Sequence, residues 1–237
     1  MKLLVTRPEP EASRTADRLR ALGHTVLVEP LLKTEALPVG ALPLDGAGAL
    51  AVTSGRALKI MALHKDFPSL LGLPVYCVGQ RCGEIARKLG FTTVITAQGT
   101  LAQLTERILE DKPSKTIVYL AARERSGDLQ GELARAGVTC EMVEVYSMMQ
   151  KERFSAQIYE DLRLGKVDAV LFYSFRTAET FMRLIHLEND TECLNSMKAF
   201  TVSERSRSLL NAFGHVEVSE EPNEDSLFDL TLRKRVL

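Results

Sequence analysis

No apolar run in this 237-residue sequence approaches the roughly 20 residues that a bilayer span requires. The start, Met1-Lys2-Leu3-Leu4-Val5 and then Thr6-Arg7, lacks the longer apolar segment of a secretory signal, so a cytoplasmic chain with no membrane association is expected. Neither charge sign is in excess: 30 Lys and Arg stand against 31 Asp and Glu, a formal net charge of -1. That argues against a nucleic-acid partner, which usually meets a basic surface. The four cysteines (Cys77, Cys82, Cys140, Cys193) form no C-x-x-C pair and match no zinc spacing, so reduced thiols and no bound metal are expected. The four histidines are scattered, and His24 and His215 each follow a glycine at a predicted helix end, where a basic side chain suits the last carbonyls. The chain also has no glycine-rich phosphate loop ending in Gly-Lys-Ser or Gly-Lys-Thr, no paired-glycine dinucleotide fingerprint after a strand and no nucleophile elbow. "GAG" at 46–48 follows no predicted strand and reads as linker.

What is present is alternation. With 45% hydrophobic residues the chain can bury a sizeable core. Strand-like segments at 3–6, 25–29, 48–53, 75–78, 92–96, 116–120, 139–146, 168–173, 198–202 and 215–218 take turns with helical patterns. The helices are expected at 10–22, 55–64, 80–89, 100–110, 128–136, 175–187, 204–213 and 224–233, with weaker signals at 66–72 and 152–163. Such alternation predicts an α/β protein with parallel sheets flanked by helices.

The alternation also repeats. "AVTSGRALKIM" (51–61) matches "LFYSFRTAETFM" (171–182), with Ser54 and Ser174 120 residues apart. "VGQRCGEIARKLGF" (78–91) matches "VSERSRSLLNAFGH" (202–215), and the helices after Gly99 and from Glu224 correspond. The opening unit, 3–23, has its counterpart only at 116–137. These offsets predict two similar α/β domains, the first interrupted by the second. Residues 1–33 plus 152–237 form one, residues 38–147 the other, with crossings at 34–37 and 148–151 and a ligand cleft between them.

Each strand-to-helix turn couples a hydroxyl or glycine to an arginine: Thr6-Arg7, Ser54-Gly55-Arg56, Gly79-Gln80-Arg81-Cys82, Arg123-Glu124-Arg125-Ser126, Ser174-Phe175-Arg176 and Ser203-Glu204-Arg205-Ser206. Helix N-termini expose unpaired N–H groups and attract anions. Several such turns can hold a polycarboxylate or phosphate on a chain with no net positive charge. Taken singly, the same residues are ordinary N-caps and solvated arginines.

At these residues the chain resembles the uroporphyrinogen-III synthase family over nearly its full length. The resemblance rests on "VTRPEPEASRTADRLRALGHTVLVEPL", "AVTSGRA", "VYCVGQRCGEIARKLGF", "EVYSM", "FYSFRTAETF" and "VSERSRSLLNAFG…EEPNEDSLFDLTL" in that order. It implies a lyase that cyclises hydroxymethylbilane, a linear tetrapyrrole polycarboxylate, with inversion of the last pyrrole and release of water. It implies no metal or cofactor, and a monomer. It carries substrate binding to Thr6, Arg7, Ser54, Gly79, Arg123, Ser174, Ser203 and Ser206, the main-chain N–H groups at four of these turns meeting carboxylates. Tyr146, in "EVYSM", matches a tyrosine that would assist departure of the hydroxyl, or else pack as a hinge aromatic. Cys82 stands where many relatives have threonine, and Ser203 and Arg205 replace a more usual glycine and threonine. Two other classes fit parts of the pattern: a non-enzymatic two-domain small-anion receptor, and a nucleotide-dependent enzyme, which the missing phosphate motifs disfavour. The basic tail "TLRKRVL" reads as a solvated helix end.

Overall fold

The computed structural model describes residues 1–125 and 127–232; Ser126, the last residue of the expected 224–233 helix and the basic part of the tail lie outside the described residues. The chain opens with β1 (Lys2–Val5), α1 (Glu11–Ala21), β2 (Thr25–Val28) and β3 (Leu32–Ala36). It continues through β4 (Ala47–Val52), α2 (Gly55–Met61), α3 (Phe67–Leu70), β5 (Val75–Cys77), α4 (Gln80–Lys88), β6 (Val94–Thr96) and α5 (Leu101–Glu110). β7 (Thr116–Ala122), α6 (Leu129–Arg135), β8 (Cys140–Gln150), α7 (Ala156–Arg163), β9 (Ala169–Phe172) and α8 (Phe175–Leu187) follow. After a 3-10 turn at Thr191–Ser196 come β10 (Lys198–Thr201), α9 (Glu204–Arg207), β11 (His215–Val218) and α10 (Glu224–Leu232).

The chain divides into two compact units, Met1–Lys33 with the segment from Met149 on, and Thr34–Met148. The first holds a sheet of order β11-β10-β9-β1-β2, parallel throughout. The second holds β3-β8-β7-β4-β5-β6, with every pair from β8 to β6 parallel. Numbered from β1, the first sheet runs 2-1-3-4-5, a doubly wound order. Numbered from β7 through β8, β4, β5 and β6, the second sheet has the same order. The two units therefore share one arrangement, entered at different strands, which is why the sequence repeats fall at shifted offsets.

Both faces of each sheet are covered, so adjacent strand residues enter different cores. Leu3, Val5, Ala169 and Leu171 pack with α1 and α10 residues, whereas Leu4, Val170 and Phe172 pack with those of α7 and α8. In the second unit Leu50, Val52, Val118 and Leu120 face α2 and α4 residues, and Ala49, Ala51, Ile117 and Tyr119 face those of α5 and α6.

Four local expectations need correcting. "GAG" is no linker: Gly46, at φ +74, makes the turn, and Ala47 and Gly48 open β4. The segment 34–37 is not a bare crossing, since β3 pairs with β8. Leu37 N–H donates to Val145 O, and Lys151 N–H to Leu31 O; partner numbers run in opposite senses, so this edge is antiparallel. The 204–213 helix shrinks to the four residues of α9, because Leu209, Leu210 and Phe213 donate to carbonyls three residues back and form successive tight turns. That brings Leu210 and Phe213 into the core. His215 consequently opens β11, where it faces Glu217 at 3.1 Å, and is not at a helix end.

Two internal carboxylates pin β8 and the chain that follows it. Glu29, 4% exposed, accepts from Lys151 Nζ at 2.6 Å, Ser155 N at 2.7 Å and Ser155 Oγ at 3.3 Å. Glu124 accepts from Ser147 Oγ at 2.8 Å and Met148 N at 2.7 Å. Glu29→Gln keeps the volume but loses the ion pair, and should lower the unfolding free energy by about 1.5–3 kcal/mol, read from the urea midpoint at unchanged m. His24 gives a second test. Both of its ring nitrogens are buried without a partner among the described residues, and burial, then the N-terminal ammonium, lowers its pKa. Below the ordinary value of about 6.5 the unfolded chain takes the proton first, so stability should fall with pH until the folded histidine titrates too. His24→Leu should flatten that slope in urea midpoints measured between pH 7 and pH 5.

Candidate active site

A parallel strand followed by a crossover helix leaves the sheet at its carboxyl end, so all such turns gather along one edge. Ligands bind there, where the strand order reverses. In the second unit that reversal lies between β4 and β7, and a cavity of ≈ 290 Å³ opens beside it. Thr53, Ser54, Tyr119, Glu124, Arg125 and Tyr146 bring its polar groups, while Val78, Leu101 and Ala122 add apolar wall.

Tyr146 reaches the cavity because β8 is irregular. Ala121 pairs with Glu144 but Ala122 pairs with Tyr146, so Val145 is an extra residue in the strand. A bulge of this kind re-aims the side chains beside it. Tyr146 is buried among the side chains that line the α2 and α4 face, and its phenol makes no hydrogen bond within the described residues. On the neighbouring strand the Tyr119 hydroxyl lies 3.1 Å from Thr53 Oγ1. Burial raises the Tyr119 pKa, so this phenol stays protonated.

Ser54 caps α2, its Oγ accepting from Arg56 N at 3.2 Å. Gly79 precedes α4 in an extended conformation, and a Cβ there would come within 3.4 Å of the Gly99 Cα. Gly99 itself sits at φ +113, open only to glycine, and lines the cavity. In α4, Cys82 is buried against Cys77, and the thiol contact followed by burial raises the Cys82 pKa well above its usual value. Cys82 is thus turned into the core, at the position where many relatives have threonine.

The arginines sort themselves by partner. Arg123 was the expected ligand, but its Nε pairs with Glu144 at 3.1 Å, its side chain is 57% exposed, and it does not line the cavity. Arg125 does line it. In the first unit Arg7 is already neutralised: its Nη1 lies 2.7 Å from Glu224 and 3.1 Å from Thr15 Oγ1, and its guanidinium stacks 4.1 Å from the Tyr173 ring. Arg18 binds Glu224 and Asp225 as well. The Thr6 hydroxyl is fully buried and donates to Leu171 O, so it too is engaged inside the fold. Ser174 caps α8 through Thr177 N at 3.2 Å. Ser203 precedes the short α9 and donates its own N–H to Thr201 Oγ1. Ser206 is buried, its hydroxyl without a partner among the described residues.

A family model described as Uroporphyrinogen-III synthase HemD matches residues 13–229. The chain belongs to the uroporphyrinogen-III synthase family. It is accordingly a cyclising lyase of tetrapyrrole and heme biosynthesis. Solved structures agree on the two-domain fold. The uroporphyrinogen-III synthetase of Helicobacter pylori superposes with a TM-score of 0.70 at 17% identity, covering 98% of this chain and 99% of its own. A mutant uroporphyrinogen III synthase of Thermus thermophilus gives 0.59 at 18% identity, with 98% of each chain covered. No curated protein matches the chain.

Sequence reasoning missed Thr53, Tyr119, Glu124 and Arg125 as neighbours of Tyr146. Glu124 and Arg125 had a signal, as members of the Arg123-Glu124-Arg125-Ser126 turn. Tyr119 reads as an ordinary buried strand residue, and its position at the cavity follows from the strand order. Ser54→Ala should cost about 1 kcal/mol of stability through the lost cap, whereas Ser54→Gly should cost only a few tenths. If the main-chain N–H is what binds carboxylate, both variants should keep the wild-type KM.

Proposed function

We propose that the protein performs the family's cyclisation by holding the bilane's carboxylates on turn N–H groups while the Tyr146 phenol assists departure of the terminal hydroxyl. The helix N-termini at Ser54 and Gly79 in one unit and at Ser174 in the other supply donors for anions, whereas the Ser203 N–H is already given to Thr201 Oγ1. The substrate's acetate and propionate groups are the matching acceptors. The family substrate closes unaided to the uninverted isomer, so the enzyme must select a path as well as lower a barrier. Fixed carboxylates decide which face of the last pyrrole meets the reacting carbon, and held geometry supplies several kcal/mol.

The chemistry balances without an added reagent. The hydroxyl leaves as water, taking a proton that the pyrrole nitrogen replaces. The resulting electrophile is attacked at the substituted carbon of the last ring, and the spiro intermediate so formed rearranges with inversion. Tyr146 contributes by donating a hydrogen bond to the departing oxygen. The observation that supports this role is its phenol, set at the carboxyl edge of a parallel sheet and without a partner among the described residues. The protein acts in this reading as a cytoplasmic monomer on one small-molecule partner.

Purified protein supplied with fresh bilane, followed by oxidation and chromatography of the isomers, should yield the inverted product. Tyr146→Phe should lower kcat by about 100-fold, the low end of general-acid contributions, with little change in KM. An unaltered kcat would return Tyr146 to a packing role.

A further inference from the structure

We infer that Arg125 is a specificity-determining residue of this synthase: it pairs with a carboxylate arm of the pyrrole that seats beside Tyr146. The inference rests on the function proposed above. Its basis is how the cavity distributes charge. Among the described residues two charged side chains line it, Glu124 and Arg125. Glu124 is turned to Ser147 Oγ and Met148 N and holds the strand that carries Tyr146. Arg125 is held at one corner only. Its Nη1 donates to Ala122 O at 2.8 Å, Arg123 O at 3.0 Å and Glu144 Oε1 at 2.9 Å. Its Nη2 and Nε have no partner among the described residues. A guanidinium fixed at one nitrogen, on a side chain that lines a pocket, is preorganised for a planar carboxylate.

The rest of the lining defines what the carboxylate is attached to. At ≈ 290 Å³ the cavity lies at the low end of ligand sites, so it admits one substituted ring of a linear tetrapyrrole and not the whole chain. Val78, Leu101 and Ala122 give such a ring apolar contact, and the Thr53–Tyr119 hydroxyl pair flanks it. Arg123 cannot substitute, because its side chain runs outward to the other oxygen of Glu144.

Steady-state kinetics with isomer analysis on the full-length protein test the assignment. Arg125→Gln should raise KM at least tenfold with kcat changed less than threefold, since a contact made equally before and during reaction affects binding alone. Arg125→Lys, which keeps the charge but loses the planar fork, should raise KM three- to tenfold. Arg123→Gln should stay within threefold of wild type. A bilane analogue lacking one carboxylate arm should lose on the wild type about what the full bilane loses on Arg125→Gln, and the two losses should not add. A KM for Arg125→Gln within threefold of wild type, or an equal loss in Arg123→Gln, overturns the inference. Urea midpoints of each variant separate misfolding from lost contact, and the Arg125→Lys result decides the case if the glutamine variant unfolds. Formation of only the uninverted isomer by the wild type would instead overturn the functional reading itself, before any variant is made.

Discussion

Parallel pairing is the constraint from which the rest follows. A strand that must be rejoined by a parallel neighbour sends the chain back over the sheet face, so every crossover begins at the same edge. In one unit that edge collects the N-termini of α2 and α4, with Ser54 and Gly79 at their starts; in the other it collects those of α8 and α9, with Ser174 and Ser203. Within each sheet, donor groups far apart in sequence come to one edge because of backbone hydrogen bonding alone. An anion site can therefore be assembled without net positive charge, and a chain of net charge -1 has no need of a basic patch.

The two units show how one arrangement diverges at its edge. At the switch point of the first, Arg7 from β1 meets the Tyr173 ring after β9 and is closed off by Glu224. At the switch point of the second, Thr53 after β4 meets Tyr119 from β7, and Arg125 stands over an open cavity. Burial raises the pKa of both phenols, so both stay protonated at neutral pH. The difference lies in the arginine. In one unit the arginine is bound by Glu224 and Thr15 and stacks on the Tyr173 ring, while in the other it is bound by Glu144 and two carbonyls and lines the cavity.

Two carboxylates also explain why β8 can serve at once as structural strand and as carrier of Tyr146. Glu124 fixes Ser147 and Met148 directly after the tyrosine, and Glu29 fixes Lys151 and Ser155 beyond it. With the chain after the tyrosine held in this way, the extra residue Val145 can shift the register so that Tyr146 lies opposite Ala122. The role proposed for Tyr146 requires a position held to a fraction of an ångström, and internal hydrogen bonds of this kind supply that hold.

Local patterns in the sequence determined the parallel α/β class, most element positions and the repeat of one arrangement, because continuous apolar runs, helical spacing and N-caps act between near neighbours. They located the capping turns for the same reason, whereas Tyr146 was pointed to only by the resemblance to the synthase family. They could not show that Leu-Lys-Thr-Glu-Ala at 32–36 is a strand, since its pairing partner lies more than a hundred residues away. Nor could they say which arginine lines the cavity: Arg7 is engaged by Glu224, 217 residues distant, and Arg123 and Arg125 share Glu144, but only Arg125 of these three is at the cavity wall. Tertiary structure alone decided these points, because strand pairing and ion pairing depend on where segments meet in space, and the order of residues along the chain does not contain that distance.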